Sequence, residues 1–157
     1  MEITFLTVGK TTFPFVKEGC DIFIKRIKHY TAFEYIEIPE LKNAGGLSKE
    51  QIKQKEGELI LKNIKNTDKV VLLDERGKTF TSINWSKEIE KEIICGTKSL
   101  VFIVGGAYGF AQTIYDRADA KLSLSSMTFS HQIIRLFFIE QLYRAFTIIK
   151  GEPYHNE

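Results

Sequence analysis

The sequence predicts an α/β protein whose mostly parallel sheet is flanked by helices, and three observations carry this. Strand-like and helix-like stretches alternate along the chain. Two strand-like stretches, Asp68 to Asp74 and Ser99 to Val104, are short apolar runs, as in strands buried on both faces of a parallel sheet. The second runs straight into Gly105-Gly106-Ala107-Tyr108-Gly109. Strand, glycine loop and helix together let backbone N–H groups approach a ligand at the carboxyl edge of such a sheet.

Taken in order, Glu2 to Val8 alternates and is rich in β-formers, so it reads as the first strand, closed by Gly9. Phe13 to Tyr30 reads as a helix with Phe15, Ile22, Phe23 and Ile27 as its buried stripe, and His29 near its end interacts with the helix terminus. Phe33 to Ile38 is a second alternating strand, stopped by Pro39. Asn43-Ala44-Gly45-Gly46 is a loop signal, and Ser48-Lys49-Glu50-Gln51 is a capping box that opens a lysine-rich helix. That helix is read first as a solvated charged face, with an RNA-facing surface as the alternative, since lysines supply affinity without sequence information. Asp68 to Asp74 is the third strand, Glu75 to Lys78 a turn, and Ile83 to Ile94 a helix stopped by Gly96. Ser99 to Val104 and Ala120 to Leu124 are the remaining strands, each ending in a loop of small residues. The glycine loop is neither a Walker A motif nor a GxGxxG fingerprint.

The last third holds the densest pattern. A serine-rich loop ends in His131, an apolar run extends from Gln132 to Lys150, and Gly151-Glu152-Pro153-Tyr154-His155 follows. On a helical wheel His131 and Arg135 share one side, Glu140, Arg144 and Thr147 the other, and nearly everything between is apolar. Such a helix is buried on more than one face, here between its own core and a second subunit. Its polar exceptions are costly unless paired or used.

The frame is that of an ordinary globular chain. At 157 residues it suits one domain with a proper core. Its 43% hydrophobic and 27% charged residues place it with neither disordered nor membrane proteins. A net charge of +2 does not by itself point to nucleic acid, because a local patch matters more than a total. Cys20 and Cys95 lack metal-like spacing and read as free thiols. Met1 to Gly9 is too short and polar for a signal peptide, and no apolar stretch reaches the roughly 18 residues of a membrane span, so a soluble cytoplasmic protein is expected.

Several ordered motifs together resemble one family. They are Val-Val-Leu-Leu-Asp74, Phe-Ile-Val-Gly-Gly-Ala-Tyr-Gly109, Leu-Ser-Leu-Ser-Ser-Met-Thr-Phe-Ser-His131, Glu140-Gln-Leu-Tyr-Arg-Ala-Phe146 and the terminal Pro-Tyr-His155. The chain is similar along its whole length, including the opening Thr7-Val8-Gly9-Lys10, to the ribosomal RNA large subunit methyltransferase H family of the SPOUT superfamily. The resemblance implies one SPOUT domain over residues 1–157, an α/β trefoil knot, a homodimer and S-adenosyl-L-methionine as cofactor, a chemistry for which no metal is expected. It further implies methylation of N3 of a pseudouridine in 23S ribosomal RNA within the ribosome. The cofactor positions it implies are Leu73, Gly105 and the loop Leu124, Ser125, Ser126, Met127, Thr128 and Phe129. Two departures stand out: Ser130 replaces the proline expected before the histidine, and Asn156 replaces a basic residue after Tyr154-His155.

The chemistry narrows the roles. Methyl transfer from a sulfonium is a direct displacement, so the protein positions the acceptor and manages its proton. A uracil-like N3–H is nucleophilic mainly when deprotonated, which suits a histidine of near-neutral pKa. His131 and His155 are the candidates, against a capping or core role for His131 and an unstructured tail for His155. Arg135 and Arg144 are candidates to hold phosphate or orient the base, with a buried Glu140–Arg144 pair as the alternative for Arg144. Tyr154 stacks on a base or pins the tail. With Gly151 and Pro153 as a bend, the tail is expected to reach the partner's pocket and to become ordered only on docking. Two other classes compete: a non-catalytic ribosome-binding or assembly factor on the same scaffold, which has no need of cofactor loops, and a nucleotide hydrolase, which lacks a Lys-Ser/Thr pair after the glycines.

Overall fold

The computed structural model describes residues 1–156. Its elements are β1 (Glu2–Val8), α1 (Pro14–Ile27), β2 (Ala32–Ile38), a 3-10 turn (Ala44–Gly46), α2 (Lys49–Lys62), β3 (Lys69–Thr79), α3 (Ser82–Ile94), β4 (Ser99–Val104), α4 (Gln112–Arg117), β5 (Ala120–Ser123) and α5 (Ile133–Ile149). All five strands pair in parallel in the order β2-β1-β4-β3-β5. The α/β class and the parallel sheet expected from the alternation are therefore present.

Strand alternation divides the core in two. Ile3, Phe5, Leu100, Phe102 and Val104 face α1, α3 and α5, where they meet Val16, Cys20, Trp85, Ile89, Phe138 and Leu142. Leu6, Val8, Val70, Leu72, Val101 and Ile103 point the other way, onto Ile60 of α2 and Ile114 of α4. A central sheet covered on both faces explains why β3 and β4 carry apolar runs rather than clean alternation.

Three expectations shift. The buried stripe of α1 is Val16, Cys20 and Ile27, with Phe23 partly covered, whereas Phe15 is 59% and Ile22 45% exposed. The helix phase is fixed by the 16/20/23/27 spacing, and Phe15 falls off that face. Second, α5 owes most of its burial to its own chain. It lies on the sheet between α1 and α3, which bury Phe138, Ile139, Leu142, Ala145 and Phe146 and leave Phe137 43% exposed. Third, Glu75 to Lys78 is no terminal turn. Leu73 and Lys78 both pair with Leu122, so β3 bulges out over residues 74–77 and then rejoins β5. Gly77 makes the rejoining possible: a Cβ there would lie 2.6–2.7 Å from the Leu122 and Lys121 backbone.

Candidate functional site

The helix after β3, α3, lies on one face of the sheet, and the helix after β4, α4, lies on the other. Connections that leave neighbouring strands in opposite directions open a crevice at the strands' carboxyl ends. A cavity of about 740 Å³ sits there. Its walls come from the bulge of β3 (Leu73, Asp74, Glu75, Arg76), the glycine turn after β4, the loop after β5 with His131, and Ile134 at the start of α5.

The glycine turn is tight. A Cβ on Gly105 would lie 3.2 Å from the Phe110 ring and 3.3 Å from the Gly109 backbone, so the chain folds closely back on itself there. The serine loop is organised by its own hydroxyls. Ser123 Oγ donates to the Ser125 carbonyl at 2.9 Å, and Ser125 Oγ accepts from the Met127 amide at 2.9 Å. Thr128 Oγ1 donates to Glu75 at 3.3 Å, and the Phe129 ring meets Phe137 edge-on at 5.0 Å. Ser130 has a function of its own: its Oγ accepts from the Ile133 amide at 3.1 Å, which satisfies a free donor at the start of α5 as a proline could not.

Of the residues expected to hold a cofactor, Leu73, Gly105, Leu124, Ser125, Met127, Thr128 and Phe129 line the cavity, while Ser126 does not. His131 lines it too, half-buried. Burial, then the Arg135 charge, lowers the pKa of His131 below its ordinary value, so the imidazole stays neutral at pH 7.

Arg135 departs from expectation. It is 0% exposed. Its guanidinium donates to the carbonyls of Val8 (2.8 Å), Gly9 (2.9 Å) and His131 (2.9 Å) and to Thr11 Oγ1 (3.0 Å), with Glu37 at 3.5 Å. All its directions face protein, so it ties the end of β1 to α5 and offers nothing to a phosphate.

Arg144, Tyr154 and His155 form a second cluster, and none of them lines the cavity of the same protomer. Arg144 donates to Glu140 at 2.6 Å and lies 3.3 Å from Nδ1 of His155, with its guanidinium 4.7 Å from the centre of the Tyr154 ring. The Tyr154 hydroxyl donates to Glu140 at 2.9 Å, and its ring packs edge-on against Tyr143 at 4.7 Å. Tyr30, in the turn after α1, donates to Glu152 at 2.5 Å. The tail is therefore already seated on α5 and on the turn after α1 of its own chain, contrary to the expectation that docking alone would order it. The pair with Glu140, expected as the alternative role of Arg144, is present, and Arg144 meets the tail as well.

Sequence reasoning passed over the other cavity wall. Asp74 accepts from the Tyr115 hydroxyl and, at 2.8 Å, from the Arg76 amide; Arg76 Nη2 donates to Tyr115 at 3.0 Å. Burial would raise the Asp74 pKa, but these hydrogen bonds and the Arg76 charge outweigh it and hold the carboxylate ionised, below its ordinary value. The strand-end position of Asp74 was the available signal; Tyr115, mid-helix in α4, carried none.

A parallel α/β sheet with a cavity at its topological switch point, walled by a glycine turn and an apolar loop rich in backbone groups, is the arrangement in which α/β folds hold small ligands. Residues 1–155 match the family described as "Predicted SPOUT methyltransferase". The chain is 51% identical over 157 residues to the ribosomal RNA large subunit methyltransferase H of Flavobacterium johnsoniae, covering 100% of both chains. It is 53% identical over 157 residues, again covering 100% of both, to the protein of that name from Phocaeicola vulgatus. The chain belongs to the SPOUT methyltransferases and, among them, to the ribosomal RNA large subunit methyltransferase H family. A probable methylase family protein from Haemophilus influenzae Rd KW20 shares the fold, with a TM-score of 0.51 over 99% of this chain and 70% of that one at 11% identity.

Proposed function

We propose that the protein methylates N3 of a pseudouridine in 23S ribosomal RNA, on the ribosome, as a homodimer with S-adenosyl-L-methionine as donor. The observation that carries this is the switch-point cavity, whose walls fit such a cofactor. Leu73, Leu124, Met127 and Phe129 offer apolar surface to an adenine ring, while the glycine turn and serine loop offer backbone groups at close range. Its volume of about 740 Å³ falls within the range of small-molecule sites. Bound there, S-adenosyl-L-methionine supplies an electrophilic methyl group on a sulfonium.

The chain's own residues handle the acceptor base. His131, neutral and on the cavity wall, accepts the N3 proton. The second cluster comes from the partner protomer, since in its own chain it stands outside the cavity. Arg144 can only donate, so Nδ1 of His155 stands as its acceptor. Brought beside the base, the Arg144 cluster stabilises the negative charge that spreads to a base carbonyl as N3 loses its proton. Tyr154 holds the cluster in place through Glu140. The family's trefoil knot and a single domain over residues 1–157 belong to the same reading.

The test is transfer of labelled methyl groups to unmethylated ribosomes and to free 23S RNA, with the product nucleoside identified by mass spectrometry. N3-methylpseudouridine on ribosomes is the expected result; a folded protein that binds ribosomes but neither binds S-adenosyl-L-methionine nor transfers a methyl group is instead an assembly factor. Mixed dimers test the shared site. One chain lacks residues 153–157 and the other carries a cofactor-blocking substitution in the serine loop. Such a dimer keeps one complete site, formed across the two chains, and recovers activity there. Mixed dimers that form but stay inactive place the tail at its own pocket.

A further inference from the structure

The lip of the cavity carries side chains that neither the backbone contacts proposed for the cofactor nor the proton handling uses. Gly106 to Gly109 is a closed turn: the Gly109 amide donates to the Gly106 carbonyl at 3.1 Å, and the two glycines form an isolated bridge. Tyr108 stands third in this turn, on the cavity rim, with 47% of its surface exposed. An aromatic ring this open on so fixed a turn is not packing a core. Lys49 Nζ lies 5.4 Å from its ring centre.

Lys49 is itself placed firmly. It is the first residue of α2, whose start is fixed by the reciprocal Ser48–Gln51 capping box, at 3.2 and 2.8 Å. One turn further, Lys53 lines the cavity and pairs with Glu50 at 2.6 Å, the glutamate side chain being 82% exposed. A flat ring and two ammonium groups on one rim match the two parts of a nucleotide. Bases stack on aromatic faces with little regard to sequence, and lysines take the phosphates.

We propose that Tyr108 stacks on an unpaired nucleotide next to the target and that Lys49 and Lys53 hold the adjoining phosphate. This rests on the reading above that the substrate is RNA, and it makes the substrate locally single-stranded. A protein partner fits the rim less well, because one tyrosine between glycines and charged side chains provides no apolar patch to bury. Glu50 acts as a competitor: an arriving phosphate displaces it from Lys53, so removing its charge favours RNA.

The test uses the full-length protein, unmethylated ribosomes and labelled S-adenosyl-L-methionine. Tyr108→Ala raises KM for ribosomes roughly tenfold, within the range expected for one stacked base, and leaves the calorimetric Kd for S-adenosyl-L-methionine at the wild-type value. Tyr108→Phe restores the KM, because the ring does the stacking. Lys49→Ala reduces the salt slope of ribosome binding by about one, and Glu50→Gln tightens binding. A wild-type KM in Tyr108→Ala overturns the platform, and so does an altered cofactor Kd, which would make Tyr108 a cofactor wall. Ribosome co-sedimentation separates this from the parent reading. If wild type transfers no methyl group, the proposed function fails, and weaker sedimentation of Tyr108→Ala than of wild type still supports the platform while equal sedimentation overturns it.

Discussion

Replacing Arg135 with methionine separates a structural tie from an RNA contact. Methionine keeps much of the side-chain volume and removes every donor. The wild-type guanidinium is fully buried and gives hydrogen bonds to three carbonyls and to Thr11 Oγ1. Its loss strands the Val8 and Gly9 carbonyls, and an unsatisfied buried group costs about 1–3 kcal/mol. Glu37 loses its nearby cation as well, but its side chain is 33% exposed and it also accepts from the Thr11 amide, so its penalty is partial. These costs share one cavity and do not simply add. The expected total is about 3–5 kcal/mol, as when one partner of a buried pair is removed. At about 2–4 °C per kcal/mol for a chain of this size, the melting temperature falls by about 6–20 °C. Urea denaturation followed by circular dichroism measures the loss directly, and Arg135→Lys should fall between wild type and Arg135→Met. Unchanged stability in Arg135→Met, accompanied by weaker ribosome binding, would refute the structural assignment and return Arg135 to the RNA.

Other perturbations test other parts of the site. Gly105→Ala places a methyl group 3.2–3.3 Å from Phe110 and the Gly109 backbone, so the turn must shift; calorimetry should show weaker S-adenosyl-L-methionine binding with little change in melting temperature. The lowered His131 pKa has a definite sign. Below the unfolded value of about 6.5 the unfolded chain takes up the proton first, so stability falls as pH drops from there through the folded pKa, and His131→Gln should flatten that part of a urea-midpoint profile. Light scattering should give twice the 18.1 kDa chain mass, and Phe137→Glu, at a large residue exposed in the protomer, should shift the protein towards monomer. An obligate interface of this kind buries roughly 2,000 Å² or more, and a monomeric wild type at micromolar concentration would refute it.

Much of the architecture was legible because it is written locally. The apolar runs of β3 and β4 announce strands covered on both faces, and Ser48-Lys49-Glu50-Gln51 announces the start of α2 to the residue. The cavity loops were legible for the same reason, since a strand followed by small residues marks a sheet edge. The use of each charged side chain was not legible, because it depends on partners distant in sequence. Arg135 and Arg144 are the same residue type set in the same apolar run, yet one is consumed by the carbonyls of Val8 and Gly9 more than 120 residues away and the other meets the tail 11 residues on. Phe15 misled for a related reason. Hydrophobicity marks a residue for burial without saying whether its own fold or another molecule covers it.

The bulge in β3 has a mechanical consequence. Residues 74–77 leave the sheet at Leu73 and return at Lys78, and both anchor points are the same residue of β5, Leu122. The excursion is therefore a handle riveted at both feet to a single point. Pulling on it cannot slide one strand past the other without breaking both attachments, so the Asp74–Arg76 wall moves as a unit or not at all. Its span is also decoupled from the register of the sheet: residues can be gained or lost between the feet while every pairing beyond them stays in frame. The length of this cavity wall can therefore change without redesigning the sheet contacts beneath it.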